Sequence, residues 1–372
     1  MEKNAGARNL TGAPSVFLDA LRLTAALLVL VVHAFNRWFI TKAYRSEWPG
    51  EPSHVAVIVF FVLSGYVIGH TTMSSNRGPM QYAQARLSRL CSIVIPAIII
   101  TVCIHAFIAI YNPDALLKYA RGDSALRYLL SSLYLNEIWL FSAAPGLNGS
   151  LWSLSFEFWY YTIFGLWFFR KPGAKSKLLL TLAVVIAGPK IILMMPLWVM
   201  GYLAYRLPRP KISRTWSWRF VALVFLCGGV VAAFLPPLPY VIFLGPLYYA
   251  NQFFTDWVLA IFVAAALWLL PNGGISNSVS KGANTFRKIA DLTFPLYVLH
   301  YPFIILWKAT IGIDPDNFGQ LCVAIICVLV IASVIGYFLE KQRPLWSRFF
   351  KWLLTKGHDF FTTKPDKSSA RS

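Results

Sequence analysis

Charge is scarce in this chain, and acid is scarcer still. Only 13% of its 372 residues are charged, 57% are hydrophobic, and 15 acidic residues stand against 34 basic ones. A soluble protein carries about 25% charged residues, so a water-facing globular surface is excluded. Cysteine is equally thin. The five (Cys91, Cys103, Cys227, Cys322 and Cys327) all lie in apolar segments without C-x-x-C spacing. That excludes a disulfide framework and a zinc motif and leaves them as small buried hydrophobes. There is no phosphate loop, no metal motif, no serine in a nucleophile elbow and no Cys–His pair. No internal repeat stands out, and nothing between the ends suggests a second domain.

What the chain has in quantity is apolar runs from end to end. Ten candidate spans follow: 17–40, 54–72, 90–111, 150–169, 177–194, 195–206, 218–235, 253–270, 290–311 and 319–340. A span needs roughly 20 apolar residues, so the sixth is short. Segment 125–141 is amphipathic and rich in Tyr and Trp, which suits an interfacial or re-entrant position. The expected fold is all-α: a polytopic bundle of about ten transmembrane helices. With the N-terminus inside, most of the 34 basic residues fall in cytoplasmic segments, among them Arg77, Arg86, Arg89, Arg170, Lys171, Arg206 and Arg209. This asymmetry is the positive-inside rule and puts both termini in the cytoplasm. The net charge of +19 therefore reflects topology and anionic lipid headgroups, with no nucleic-acid partner. The first span is too long for a secretory signal and is interrupted by Asp19 and Arg22, so it is expected to be retained. The ends, 1–14 and 357–372, are polar and read as disordered. The expected division is a cytoplasmic tail 1–14, a membrane domain 15–345 and a basic cytoplasmic tail 346–372.

The polar residues inside these spans carry the information. An ionisable group near a membrane centre costs about 2.5–3.5 kcal/mol, so it has a partner or a job. In the first span Arg22 and His33 are eleven residues apart, roughly 20° around a helix, and Asp19, Asn36 and Arg37 fall near the same line. Asp19 and Arg22 also suit end residues snorkelling to the interface; His33 lies too deep for that. At about 1.5 Å per residue His33 and Glu157 both fall in the outer third of the core. A carboxylate within reach of an imidazole would fix its tautomer and favour its charged form, as a general base requires. Glu157 would alternatively satisfy helix packing or pair with Arg37. Ser153 lies one turn from Glu157. Ser64-Gly65 sits near mid-membrane, where a small pair lets another helix approach. Arg86 and Arg89 share a helical face at the cytoplasmic surface and suit either phosphates or topology. His300 lies near mid-membrane beside Tyr297 and Tyr301 and between Pro295 and Pro302, whose breaks free carbonyls. His105 reads as structural and His70 as interfacial. Together these groups form a column from Arg22, Arg86 and Arg89, past Ser64 and His300, to His33 and Glu157.

The segments LDALRLTAALLVLVVH (18–33), FFVLSGYVI (60–68), RLSRL (86–90), LWSLSFEFWY (151–160) and FPLYVLHYPF (294–303) resemble, in order and spacing, the family-3 membrane acyltransferases. The resemblance covers about 18–340. It implies a ten-helix bundle that moves an acyl group, often acetyl from acetyl-CoA, to a hydroxyl of a cell-envelope carbohydrate or lipid-linked glycan in the bacterial cytoplasmic membrane. It implies His33 as the catalytic residue and Glu157 as the acidic residue of the fourth-span motif. Arg22, Arg86 and Arg89 would serve the donor, and no bound cofactor or metal is implied. Asp19, Ser64, Ser153, His300 and Tyr301 would support the cavity. Some members carry a C-terminal hydrolase-like domain; this sequence reads as the shorter type. Segment 112–149 is where acceptor specificity is expected. A histidine near neutral pKa suits a base for the attacking hydroxyl, and a covalent acyl-histidine is an open alternative. The rival reading is a transporter or flippase for a lipid-linked sugar, which would also carry polar residues and prolines at mid-membrane.

Overall fold

The computed structural model describes residues 8, 10–38, 51–74, 78–119, 121–273 and 281–362. Arg77, positions 39–40 of the first expected span and most of the polar ends lie outside them. Among the described residues there are twelve α-helices and no strand: α1 (Ala13–Trp38), α2 (Pro52–Ser74), α3 (Pro79–Tyr111), α4 (Pro113–Leu117), α5 (Ser124–Ser132), α6 (Trp152–Phe168), α7 (Ala174–Arg206), α8 (Arg214–Phe234), α9 (Phe253–Leu269), α10 (Lys281–Asp291), α11 (Thr293–Thr310) and α12 (Phe318–Thr362). Seven of the helices are long and apolar enough to cross a membrane, and α9 is a shorter apolar helix. Large apolar side chains such as Ile99, Phe107, Leu226, Val230, Ile326 and Val330 are exposed around the bundle. A contiguous oily surface of this kind is unsustainable in water and natural in lipid. The chain is an all-α polytopic membrane protein.

Two helices are the most enclosed: about two thirds of the apolar window of the segment containing α11 is buried, and 61% of that of α2. The close contact of α2 with α7 depends on missing side chains. A Cβ on Gly65 would stand 1.9 Å from the Trp198 carbonyl oxygen, and one on Gly201 would stand 1.8 Å from that of Val62. Each glycine admits the other helix's backbone, which is how membrane helices gain packing without a hydrophobic driving force. The expectation that Gly65 serves packing holds.

Helix α7 is two helices. Gly188 has φ 77 and ψ 177, a region open to glycine alone, and Pro189 follows, as suits the first residue of a new helix. Ser176 and Leu179 sit beside Arg86 and Arg170. The Ala187 carbonyl, by contrast, accepts the Trp139 amide from the segment before α6. Residues 189–206 then run parallel to α2, with Gly201 against Val62 and Tyr205 against Gly69. The chain therefore reverses at Gly188. The expected break at 194/195 is displaced, and the second half is about 27 Å long at 1.5 Å per residue, close to the ~30 Å of a bilayer core.

One other segment is resolved in detail, and the last helix runs longer than expected. Within 125–141 the helix stops at Ser132, and the following residues form turns in which Tyr134 and Trp139 take positive φ. The Tyr134 carbonyl is held by Ser155 Oγ and Trp159 Nε1. Helix α12 continues past 340 to Thr362, so the expected basic tail is helical over 346–362.

Gly201→Ala is expected to lower the thermal midpoint of the detergent-solubilised protein, by overpacking worth about 1–3 kcal/mol or more. Gly229→Ala, where a Cβ would meet nothing within 4 Å, should leave it unchanged or raised. Equal midpoints for the two variants would contradict the close crossing.

Candidate active site

Two cavities lie in line through the bundle and share the walls Val57 and Tyr297. The first, of about 90 Å³, is lined by Arg22 of α1, Arg86 and Arg89 of α3, Ser64 of α2, and Ser153 and Glu157 of α6. The second, of about 170 Å³, is lined by His33 and Arg37 of α1, Glu51 and His54 at the start of α2, Arg121, and Tyr301 of α11. The expected column is therefore two chambers, one dominated by arginine and one by histidine.

In the arginine cavity three guanidiniums face one carboxylate. Asp19 lies outside the lining and holds Arg22 at 4.0 Å and Arg287 at 3.6 Å. The Arg86 guanidinium lies over the rings of Tyr161 and Tyr82, and that of Arg89 over Phe294. Aromatic faces hold a cation without neutralising it, so the chamber keeps a positive balance suited to phosphate. Glu157 accepts hydrogen bonds from Ser64 Oγ at 3.1 Å and from the Tyr161 hydroxyl. Ser64 also receives Trp198 Nε1 at 3.2 Å. Ser153 Oγ and the Tyr297 hydroxyl are 2.7 Å apart. The carboxylate is thus anchored among hydroxyls beside the arginines.

In the histidine cavity His33 and His300 are brought together. His33 Nδ1 and His300 Nε2 are 2.9 Å apart, and His300 Nδ1 lies 3.2 Å from the Leu296 carbonyl oxygen. A carbonyl can only accept, so His300 Nδ1 carries the proton. Neutral His300 Nε2 is then an acceptor, and His33 Nδ1 must donate to it. The proton of His33 Nδ1 points to His300, so in the neutral ring Nε2 is the unprotonated nitrogen, the form a base or nucleophile requires. Tyr301 meets the His33 ring edge-on with centroids 5.4 Å apart, and its hydroxyl accepts from Arg37.

His33 and Glu157, expected at one level, line different chambers, and it is His300 that sets the His33 tautomer. The start of α6 is anchored inside the protein. Asn148, fully buried, donates to the Val298 carbonyl at 3.0 Å and to Thr101 Oγ1 at 3.2 Å. It draws the 3-10 turn Gly149–Leu151 into the bundle. The alternative pairing of Glu157 with Arg37 is not formed either. His105 bonds Tyr128 and His70 bonds Tyr205.

Two buried pairs escaped the sequence reading. His54 Nε2 lies 3.0 Å from Asp256 Oδ2, and both are buried. Lys190 reaches Glu137 Oε2 at 2.5 Å, and its ammonium also donates to Ser142 Oγ and to the Phe141 carbonyl. Asp256 and Lys190 each interrupt an apolar run, which is a signal, but their partners lie some 200 and 50 residues away. Among the described residues no group of His, Cys, Asp and Glu could hold a metal ion.

The family model described as an acyltransferase domain matches residues 15–337. The chain is 22% identical over 390 residues to the peptidoglycan O-acetyltransferase OatA of Listeria monocytogenes serovar 1/2a, covering 94% of this chain and 59% of that protein. It is 28% identical over 172 residues to the O-acetyl transferase of Shigella phage Sf6, covering 45% of this chain and 50% of that protein. The chain spans about half to three fifths of the length of these relatives. No solved structure matches.

The buried ion pair gives a stability test. Lys190→Met strands the Glu137 carboxylate and is expected to cost about 3–5 kcal/mol, whereas Lys190→Met with Glu137→Leu should recover most of it. Thermal unfolding in detergent reads both; a silent single variant would contradict a fully desolvated pair.

Proposed function

We propose a reaction for this chain from one premise: it belongs to the family-3 acyltransferases. The reading is O-acetyl transfer to a hydroxyl of a cell-envelope carbohydrate, with acetyl-CoA as donor. The observation that carries it is the arrangement of the two chambers, an arginine cavity and a histidine cavity in line and sharing Val57 and Tyr297.

Arg22, Arg86 and Arg89 would hold the donor's phosphates, since forked guanidiniums recognise phosphate oxygens. His33 lies eleven residues from Arg22 on the same helix, about 16 Å along the axis. The donor's extended arm would bridge that distance past Val57 and Tyr297 and bring the thioester carbonyl to His33 Nε2. That nitrogen would either take the proton of the attacking hydroxyl or accept the acetyl group itself. His300 would fix the tautomer in both cases. Glu157 would order Ser64 and Tyr161 along the donor's path. The names of the relatives include peptidoglycan, which makes a glycan hydroxyl the first acceptor to test. The ten membrane passages follow from counting α7 as a hairpin and α6 and α9 as short spans. With basic residues at the arginine end, that end faces the cytoplasm, and a bacterial inner membrane suits a cell-envelope acceptor.

Substitutions separate chemistry from donor binding. In detergent-solubilised protein, His33→Ala is expected to abolish transfer. His300→Leu should lower kcat by about 10- to 100-fold, the usual effect of losing a partner that orients a working histidine, with the donor KM unmoved. Arg86→Ala with Arg89→Ala should raise the donor KM and leave bound donor competent. Wild-type kinetics in the His33 variant would overturn the assignment. In cells, loss of surface glycan itself, rather than of its ester groups, in His33→Ala would favour the flippase reading.

A further inference from the structure

The histidine cavity contains a second imidazole that the reaction as described does not use. His54 lines the same chamber as His33. Its Nε2 lies 3.0 Å from Asp256 Oδ2. A carboxylate accepts, so Nε2 carries a proton, and in the neutral ring Nδ1 is the nitrogen with the lone pair. Among the described residues Nδ1 makes no hydrogen bond. The ring is clamped in other directions too. It stacks on Trp152 with centroids 5.8 Å apart and planes 10° apart, and Trp152 is backed by Tyr249 at 4.2 Å and 5°. Asp256 is fixed in turn by Gln252 Nε2 at 3.0 Å. Gln252 and Asp256 are buried to 1% and 0% exposure. A fully buried carboxylate is costly unless it is hydrogen-bonded, and it lowers the cost of charging its imidazole partner when that ring takes up a proton. Here that partner is an imidazole that lines the chamber. Carboxylate, imidazole and free lone pair in series form the arrangement of a general base whose third member orients it.

Resting on the acetyl-transfer reading above, we propose that His54, positioned by Asp256, is the base that takes the proton of the acceptor hydroxyl, leaving His33 to carry the acetyl group. In the first step His33 Nε2 bonds to the thioester carbonyl carbon, the C–S bond breaks and the thiolate leaves with its electron pair, to be protonated by solvent. His33 is then an acetyl-imidazolium, since Nδ1 keeps its proton towards His300. In the second step the hydroxyl oxygen forms the new C–O bond as its proton moves to His54 Nδ1. The C–N bond breaks, and its electron pair returns to His33 Nε2, giving neutral imidazole. The imidazolium of His54, stabilised by Asp256, releases its proton to water. His54 is the catalytic residue of the second step and Asp256 its positioning residue.

A nucleophile that needs no base separates this role from a structural one. Detergent-solubilised wild type, His54→Gln and Asp256→Asn are given radiolabelled acetyl-CoA with either soluble peptidoglycan glycan strands or hydroxylamine, whose neutral nitrogen attacks without losing a proton first. The ratio of hydroxylamine to glycan acetylation is expected to rise by about 100-fold or more in His54→Gln, the contribution typical of general-base catalysis, and by less in Asp256→Asn. Parallel loss with both nucleophiles would reduce the pair to a structural clamp and overturn the proposal. So would glycan acetylation at the wild-type rate in His54→Gln. Absence of label from both nucleophiles with wild type would instead overturn the acetyl-transfer reading beneath it.

Discussion

A lipid-embedded bundle offers its polar groups little water, so partners within the protein are favoured, and this constraint shapes the molecule's interior. It makes His33 donate to His300 and His300 to the Leu296 carbonyl. It ties Glu157 to Ser64 and Tyr161. It buries Lys190 against Glu137 and thereby joins the reversal of α7 to the segment before α6. At the arginine end Arg8 donates to the carbonyls of Leu207 and Trp268, groups that the ends of helices leave open. Leaving one of these groups unpaired costs several kcal/mol. Partnered polar groups are also what pre-organised chemistry needs.

The two chambers differ in the kind of group left over once partners are assigned. In the arginine chamber cations are in excess, and aromatic rings hold them without cancelling their charge. The histidine chamber is lined by two imidazoles, one held by another histidine and one by a carboxylate. On the proposed reaction an anionic, phosphorylated donor suits the first and a neutral hydroxyl the second, and the division of labour would follow from electrostatics and tautomers.

Much of this was legible in the sequence, where local spacing decides it. Arg22 and His33 on one stripe, Arg86 and Arg89 on one face and the small pair Ser64-Gly65 needed only helical periodicity. The reversal of α7 did not emerge, because hydropathy is continuous across 177–206; the local sign was Gly188-Pro189, a helix stop followed by a helix start. The separation of Glu157 from His33 is not encoded in residue spacing, because it depends on buried Asn148 anchoring the start of α6 inside the bundle. The pairs His54–Asp256 and Lys190–Glu137 join distant elements, and pairing across 202 residues is a property of the tertiary fold that no periodicity encodes.

The central claim is that donor and acceptor enter from opposite ends of one polar column. Its most direct measurement is acetyl transfer in sealed proteoliposomes, with radiolabelled acetyl-CoA inside or outside and soluble glycan strands on the same or the opposite side. Label should reach glycan on the side opposite the donor, when the donor meets the arginine end. Transfer that requires both substrates on one side would contradict the two-chamber path.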